Sequence, residues 1–300
     1  MDTKISEISV REHGRNAGGA VIDAYYASGA DRLEGKGTAL LLVHGFNNSR
    51  EAASGSFATF VAGLQKSTMR DSLPWPIFGI QWPGDEENAI ASTLCYPFKI
   101  AVAKDAAEKI LQVLRQAFGP EGKPIILYVV SHSLGGRVIA EILARLVRQN
   151  PQLNVVVSRL TLMAAAVPTS YFELDGDLRG GIDSIGGACV LHSKGDSVLH
   201  YAFPIGQTAG HDGFFPTAVG RAGHPGSAWR SSVPMSHGTK AYGHSSYWPG
   251  SESASAVAGF FGAAVSASTP TNALIDRQLP EPNGIAERTI PRRPNPGDDD

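Results

Sequence analysis

The chain is poor in cysteine: Cys95 and Cys189 are the only two among 300 residues. That excludes a disulfide framework and leaves a single bridge or, as expected here, two buried thiols. Long apolar runs are also missing; nothing approaches the roughly 20 consecutive residues that cross a bilayer as a helix, so stable membrane insertion is not expected. Residues Met1 to Val10 carry Asp2, Lys4 and Glu7 and lack the apolar core of a secretory signal, from which a cytoplasmic location is expected. There is no excess of positive charge either. Lys and Arg number 26 against 28 Asp and Glu, so nothing neutralises a phosphate backbone and nucleic acid is excluded as the natural partner. No two of the nine histidines stand four residues apart, which removes the usual helical zinc pair; no metal and no cofactor are expected. Internal repeats are absent. Oligomeric state is not legible.

What is present is the composition of a folded chain. Hydrophobic residues make up 42% and charged residues 18%, too apolar for a mainly disordered protein. The composition shifts only near the end, where six prolines between Ala267 and Asp300 interrupt a polar stretch closing in three aspartates. This predicts one domain over 1–266, its core at 38–265, followed by a disordered tail over 267–300.

Short β-branched runs alternate with longer segments of helical period, the mark of an α/β fold with a mostly parallel sheet and helices on both faces. Thr38 to His44 is a continuous apolar run ending at Gly45, as for a strand buried on both sides. Asn48 and Glu51 stand at capping-box spacing ahead of Phe57, Phe60, Val61 and Leu64, which share a helical face. Ile77 to Trp82 reads as the next strand. Ile100, Ala103, Ala107, Ile110, Leu114 and Phe118 mark a helix ended by Gly119 and Pro120. Further strands are predicted at Ile125 to Val130, Val155 to Met163 and Ala188 to His192, with a helix carrying Val138, Ile142 and Leu146. Ile5 to Val10 and Ala20 to Tyr26 read as an antiparallel lead-in.

Reactive groups gather at the carboxyl ends of such strands. Ser131-His132-Ser133-Leu134-Gly135-Gly136 follows the most strand-like run and precedes a helix, the context of a nucleophile elbow with Ser133 at its apex. Gly135 meets the demand for a small residue two places on, whereas Ser131 replaces the usual glycine two places before. A simple helix cap is the alternative for Ser133. An acyl-transfer serine needs donors for its oxyanion; the backbone NH groups of Phe46 and Leu134 are the candidates. His44 is expected to prop its turn and not to move protons.

The acid should close a later strand, and Asp196, after the run ending at His192, fits; it could instead cap the helix that Val198 opens. Asp175, Asp177 and Asp183 lie in a Gly-rich connection. Of the histidines that follow, His200, His211, His224, His237 and His244, the last stands just before a small-residue helix from about Glu252 to Val265. It is chosen as base, with His237 as runner-up. The stretch Phe203 to Ser236 holds six glycines and four prolines and reads as a long irregular loop, either walling a pocket or padding the surface. Trp82, at another strand end, is a second candidate for the substrate wall, with plain core as the alternative.

The segments LLVHGFNNS (41–49), IQWPGDEE (80–87), SHSLGGRV (131–138), SKGDSVL (193–199), VGRAG (219–223) and GHSSYW (243–248) together resemble the α/β-hydrolase superfamily. Within it they look most like a bacterial esterase- and lipase-like branch of mostly undefined substrate. The resemblance runs in order from 38 to 265. It implies Ser133 as nucleophile, Asp196 as acid, His244 as base, and Phe46 and Leu134 as oxyanion donors; a small-molecule or lipid-like ester is the substrate expected. Acyl transfer to an alcohol or thiol by the same three residues, and a catalytically silent binding protein of the same fold, remain the alternatives. Fold resemblance alone does not select a substrate.

Overall fold

The computed structural model describes residues 4–27, 31–85, 96–117, 125–149, 155–223 and 231–262. Cys95, Phe118, Gly119, Pro120, His224, Trp229 and the Pro-rich tail lie outside them. Among the described residues eight strands form one sheet: β1 (Ile5–Arg11), β2 (Val21–Tyr26), β3 (Thr38–Val43), β4 (Ile77–Gln81), β5 (Ile125–His132), β6 (Val155–Met163), β7 (Ala188–His192) and β8 (Ser231–Pro234), in the order β2-β1-β4-β3-β5-β6-β7-β8. Only β2 runs antiparallel, paired with β1; every other pair is parallel.

The continuous apolar runs are explained by burial on both faces. In β3, Ala39, Leu41 and Val43 enter one core cluster while Leu40 and Leu42 enter the other. In β5 the same split divides Ile125, Leu127 and Val129 from Ile126, Tyr128 and Val130. A pleated strand sends alternate side chains to opposite faces, so a strand covered on both sides has no polar face to keep. Helices α2 (Tyr96–Ala117) and α3 (Gly135–Gln149) supply the first cluster, through residues such as Ala107, Ile110, Val138 and Ile142. Helix α1 (Arg50–Thr68) supplies the second.

Two expectations are corrected. Helix α1 is capped by Ser49, whose hydroxyl accepts the Ala52 NH, and not by Asn48. Asn48 stands one residue before that cap, with its side-chain amide turned back to donate to the Phe46 carbonyl at 2.9 Å. The stretch 203–236, of which 224–230 lie outside the described residues, is not irregular throughout. It follows the short helix α4 (Arg179–Asp183) and β7, and contains α5 (Phe203–Ala209), α6 (Val219–Ala222) and strand β8. Two of its glycines serve close approach: a Cβ on Gly206 would sit 2.2 Å from the Tyr96 ring, and one on Gly220 2.2 Å from the backbone of Ala164. Beyond β8 come a small hairpin of β9 (Ser236–His237) and β10 (Lys240–Ala241), a single helical turn over His244–Ser246, and α7 (Ser251–Phe261), which packs on α1. Among the described residues no helix is long and apolar enough to cross a membrane.

Candidate active site

Ser133 sits in the first residues after β5, at φ 53, a left-handed conformation that a non-glycine residue holds only when its surroundings impose it. Here they do. The Ser133 NH donates to the Met163 carbonyl at 2.9 Å, and the Ser133 carbonyl accepts the Ala166 NH at 3.1 Å. The segment after β6 thus grips the strained residue from both sides. The neighbouring strand end needs small residues to allow the turn. A Cβ on Gly135 would lie 2.3 Å from the His44 carbonyl oxygen, and one on Gly45 2.7 Å from the Ser133 Cβ. Ser131 fits where the usual pattern has glycine; it is fully buried, and its hydroxyl has no hydrogen-bond partner among the described residues.

The structure brings Ser133, His244 and Asp196 together. His244 Nε2 lies 2.8 Å from Ser133 Oγ, and His244 Nδ1 lies 2.8 Å from Asp196 Oδ2. Because a carboxylate only accepts, Nδ1 carries the proton and Nε2 is free to accept the serine hydroxyl. Asp196 is fully buried and uses both oxygens: Oδ1 accepts the Leu199 NH at 2.9 Å while Oδ2 faces His244. Ser193 ties this loop to the one bearing His244 by donating to the Tyr242 carbonyl at 2.7 Å. Of the other histidines weighed as base, three are described. His237 is 81% exposed and pairs with Glu252 at 2.6 Å, while His200 and His211 are exposed. Asp175, Asp177 and Asp183 are exposed as well, the last held by Arg179.

Phe46 and Leu134 follow, respectively, the Gly45 turn and the serine, on the two backbones that meet at Ser133. Neither backbone NH donates to any described residue.

His44 props its turn, as expected. It is fully buried, its Nδ1–H donates to the Gly45 carbonyl at 2.9 Å, and its Nε2 accepts the Trp82 backbone NH at 3.3 Å. Burial holds its pKa down at about 3, so it stays neutral. Trp82, expected on the substrate wall, is corrected: its side chain is fully buried, its Nε1 donates to the His44 carbonyl at 2.9 Å, and its ring stacks on His44 at 5.6 Å. The strand end turns it inward as the brace of the Gly45 turn, leaving no surface for a ligand.

Sequence reasoning missed Arg11. Only 1% of its side chain is exposed, and it donates to the Trp82 and Asn48 carbonyls at 2.8 and 3.0 Å and to Asp85 at 2.6 Å. One buried guanidinium from the first strand therefore anchors both loops beside the serine. An arginine directly after the predicted strand Ile5 to Val10 was the available signal, because such a charge is buried only when paired.

Residues 30–209 match the model of a family described as an alpha/beta hydrolase of unknown function (DUF900). No curated protein matches the chain. Among solved structures the chain is similar to a protein of Lactobacillus plantarum WCFS1 named as a cell surface hydrolase, at 10% identity over 81% of this chain and 97% of that one, with a TM-score of 0.36. An esterase/lipase from an uncultured bacterium matches at 11% identity over 81% of each chain, with a TM-score of 0.36. An extracellular alpha/beta-hydrolase of a Paenibacillus species matches at 17% identity over 47% and 48%, with a TM-score of 0.24.

Proposed function

Since the chain belongs to the DUF900 family of alpha/beta hydrolases, we propose that it is a serine hydrolase cleaving carboxylic esters through an acyl-enzyme on Ser133. The observation that carries this reading is the relay of two 2.8 Å contacts from Ser133 through His244 to buried Asp196. His244 takes the Ser133 proton as Oγ attacks the ester carbonyl carbon. The carbonyl π pair moves onto oxygen, where the Phe46 and Leu134 NH groups receive it. Asp196 stays ionised, holding the imidazole in its tautomer and offsetting the imidazolium charge. As the tetrahedral centre collapses, His244 returns the proton to the departing alkoxide and leaves the acyl group on Ser133. Water then attacks with His244 as base, releasing the acid and restoring the serine. A small-molecule or lipid-like ester is the substrate proposed, in a cytoplasmic setting.

Turnover of p-nitrophenyl esters across acyl chain lengths, with Ser133→Ala as control, tests the proposal. The variant should lose roughly 10⁴- to 10⁶-fold in kcat and should not be labelled by a fluorophosphonate probe that modifies the native protein. Ester turnover by Ser133→Ala near the native rate would refute it.

A further inference from the structure

Within the elbow, the residue before the nucleophile has no role in the reaction just described, yet its side chain reaches the base. His132 is 5% exposed, and its Nε2 lies 2.8 Å from the backbone carbonyl oxygen of His244, 112 residues away in sequence. A carbonyl only accepts, so Nε2 carries a proton and donates it. Its Nδ1 is buried without a hydrogen-bond partner among the described residues and faces the Gly45 turn, where a Cβ would come within 3.0 Å of it. A second proton there would find no acceptor, which fixes the neutral Nε2–H tautomer. The ring is wedged among others: centroids lie 5.0 Å away for His244 and 5.9 Å for both Tyr247 and Trp248. Trp248 is itself packed edge-on against Phe57 and Phe60 of α1. The imidazole therefore has one orientation.

We propose that His132 is a positioning residue that ties the base-bearing loop to the nucleophile's own elbow through its bond to the His244 carbonyl, and so sets the distance between His244 Nε2 and Ser133 Oγ; this rests on the serine-hydrolase reading above. The physical argument is one of levers. Ser133 is locked to the sheet through Met163 and Ala166, whereas His244 stands in a single helical turn of a long connection. Its backbone needs an anchor on the sheet side. The residue adjacent to the nucleophile supplies one that moves with the nucleophile itself, so an error in the elbow is shared by both partners. Remaining neutral also matters, because a cationic His132 would oppose the imidazolium that forms 5.0 Å away. Burial, ahead of the neighbouring His244, holds the His132 pKa down at about 3.

The test compares His132→Phe, which fills the space without a donor, with His132→Gln, whose side-chain amide places a donor near the Nε2 position. His132→Phe should lower kcat on p-nitrophenyl esters by about 10- to 100-fold, the cost of a misplacement of up to about 1 Å. KM should change less than threefold. His132→Gln should recover most of the loss. Independently of turnover, the downfield proton resonance of His244 Nδ1–H bonded to Asp196 should broaden into exchange in His132→Phe and persist in His132→Gln. Native kcat and an unchanged resonance in His132→Phe would overturn the proposal, as would equal damage in both variants. If the native protein hydrolyses no ester, the functional reading falls, and the resonance still decides whether His132 holds His244 in place.

Discussion

Replacing Gly45 by alanine should silence the site while leaving the fold standing. A Cβ there would lie 2.7 Å from the Ser133 Cβ, 3.0 Å from His132 Nδ1 and 3.1 Å from the His132 carbonyl oxygen. Carbon atoms rest at about 3.5–4.0 Å, so the shortfall against Ser133 is on the order of 1 Å. None of the three neighbours can yield cheaply. Ser133 is gripped by Met163 and Ala166, and the His132 carbonyl belongs to a strand in the middle of the sheet. The turn must therefore retreat, and the next residue on it is Phe46, whose NH is one of the two proposed oxyanion donors. Losing such a donor costs about 10²- to 10³-fold in kcat, and overpacking of this kind costs about 1–3 kcal/mol of stability. Steady-state hydrolysis of p-nitrophenyl esters, the rate of fluorophosphonate labelling and urea denaturation measure the two effects separately. Gly55→Ala is the control: it lies in α1, a Cβ there meets nothing within 4 Å, and alanine should stabilise the helix by about 0.5–1 kcal/mol without altering kinetics. If Gly45→Ala keeps kcat and labelling rate within threefold of native, the oxyanion argument is wrong.

Asp196→Asn should lower kcat by about 10⁴-fold with the fold intact, because the amide oxygen can still accept the Leu199 NH while its NH₂ forces His244 into the tautomer that cannot accept from Ser133; a loss under tenfold in the same ester assay would dismiss Asp196 as the acid. The buried imidazoles predict an acid-sensitive fold. His44 and His132 have folded pKa values depressed from 6.5 to about 3, so the unfolded chain binds the extra protons between those limits: their contribution is complete above about pH 6.5 and is lost as pH falls toward 3. Each contributes up to about 1.4 kcal/mol per pH unit to the slope of stability, and urea titrations at pH 4 to 6 should show His132→Phe shallower than native by that amount; parallel slopes would contradict it. Arg137→Met should destabilise by about 3–5 kcal/mol in thermal or urea unfolding, because Arg137 and Asp212 are paired at 2.6 Å with side-chain exposures of 3% and 5%; a loss below about 1 kcal/mol would mean that Lys104 and Tyr171, at 3.0 and 2.9 Å from the same carboxylate, suffice.

The amino-acid sequence by itself determined what is encoded within a few neighbouring residues. Strands β3 to β7 and the helices after β3, β4 and β5 were legible because a strand buried on both faces and a helix buried on one leave different apolar periods in the chain. The elbow at Ser133 was legible for the same local reason, as a serine and a glycine at a strand-to-helix junction. Tertiary structure decided what depends on partners far along the chain. Whether Trp82 faced a ligand or the core turned on His44, and whether Gly206 and Gly220 meant loop or close packing turned on Tyr96 and Ala164. The approach of His244 to Ser133 and Asp196, and the tie from His132, exist only after the sheet has brought its strand ends to one edge, since side-chain contacts across such separations leave no period in the sequence to read.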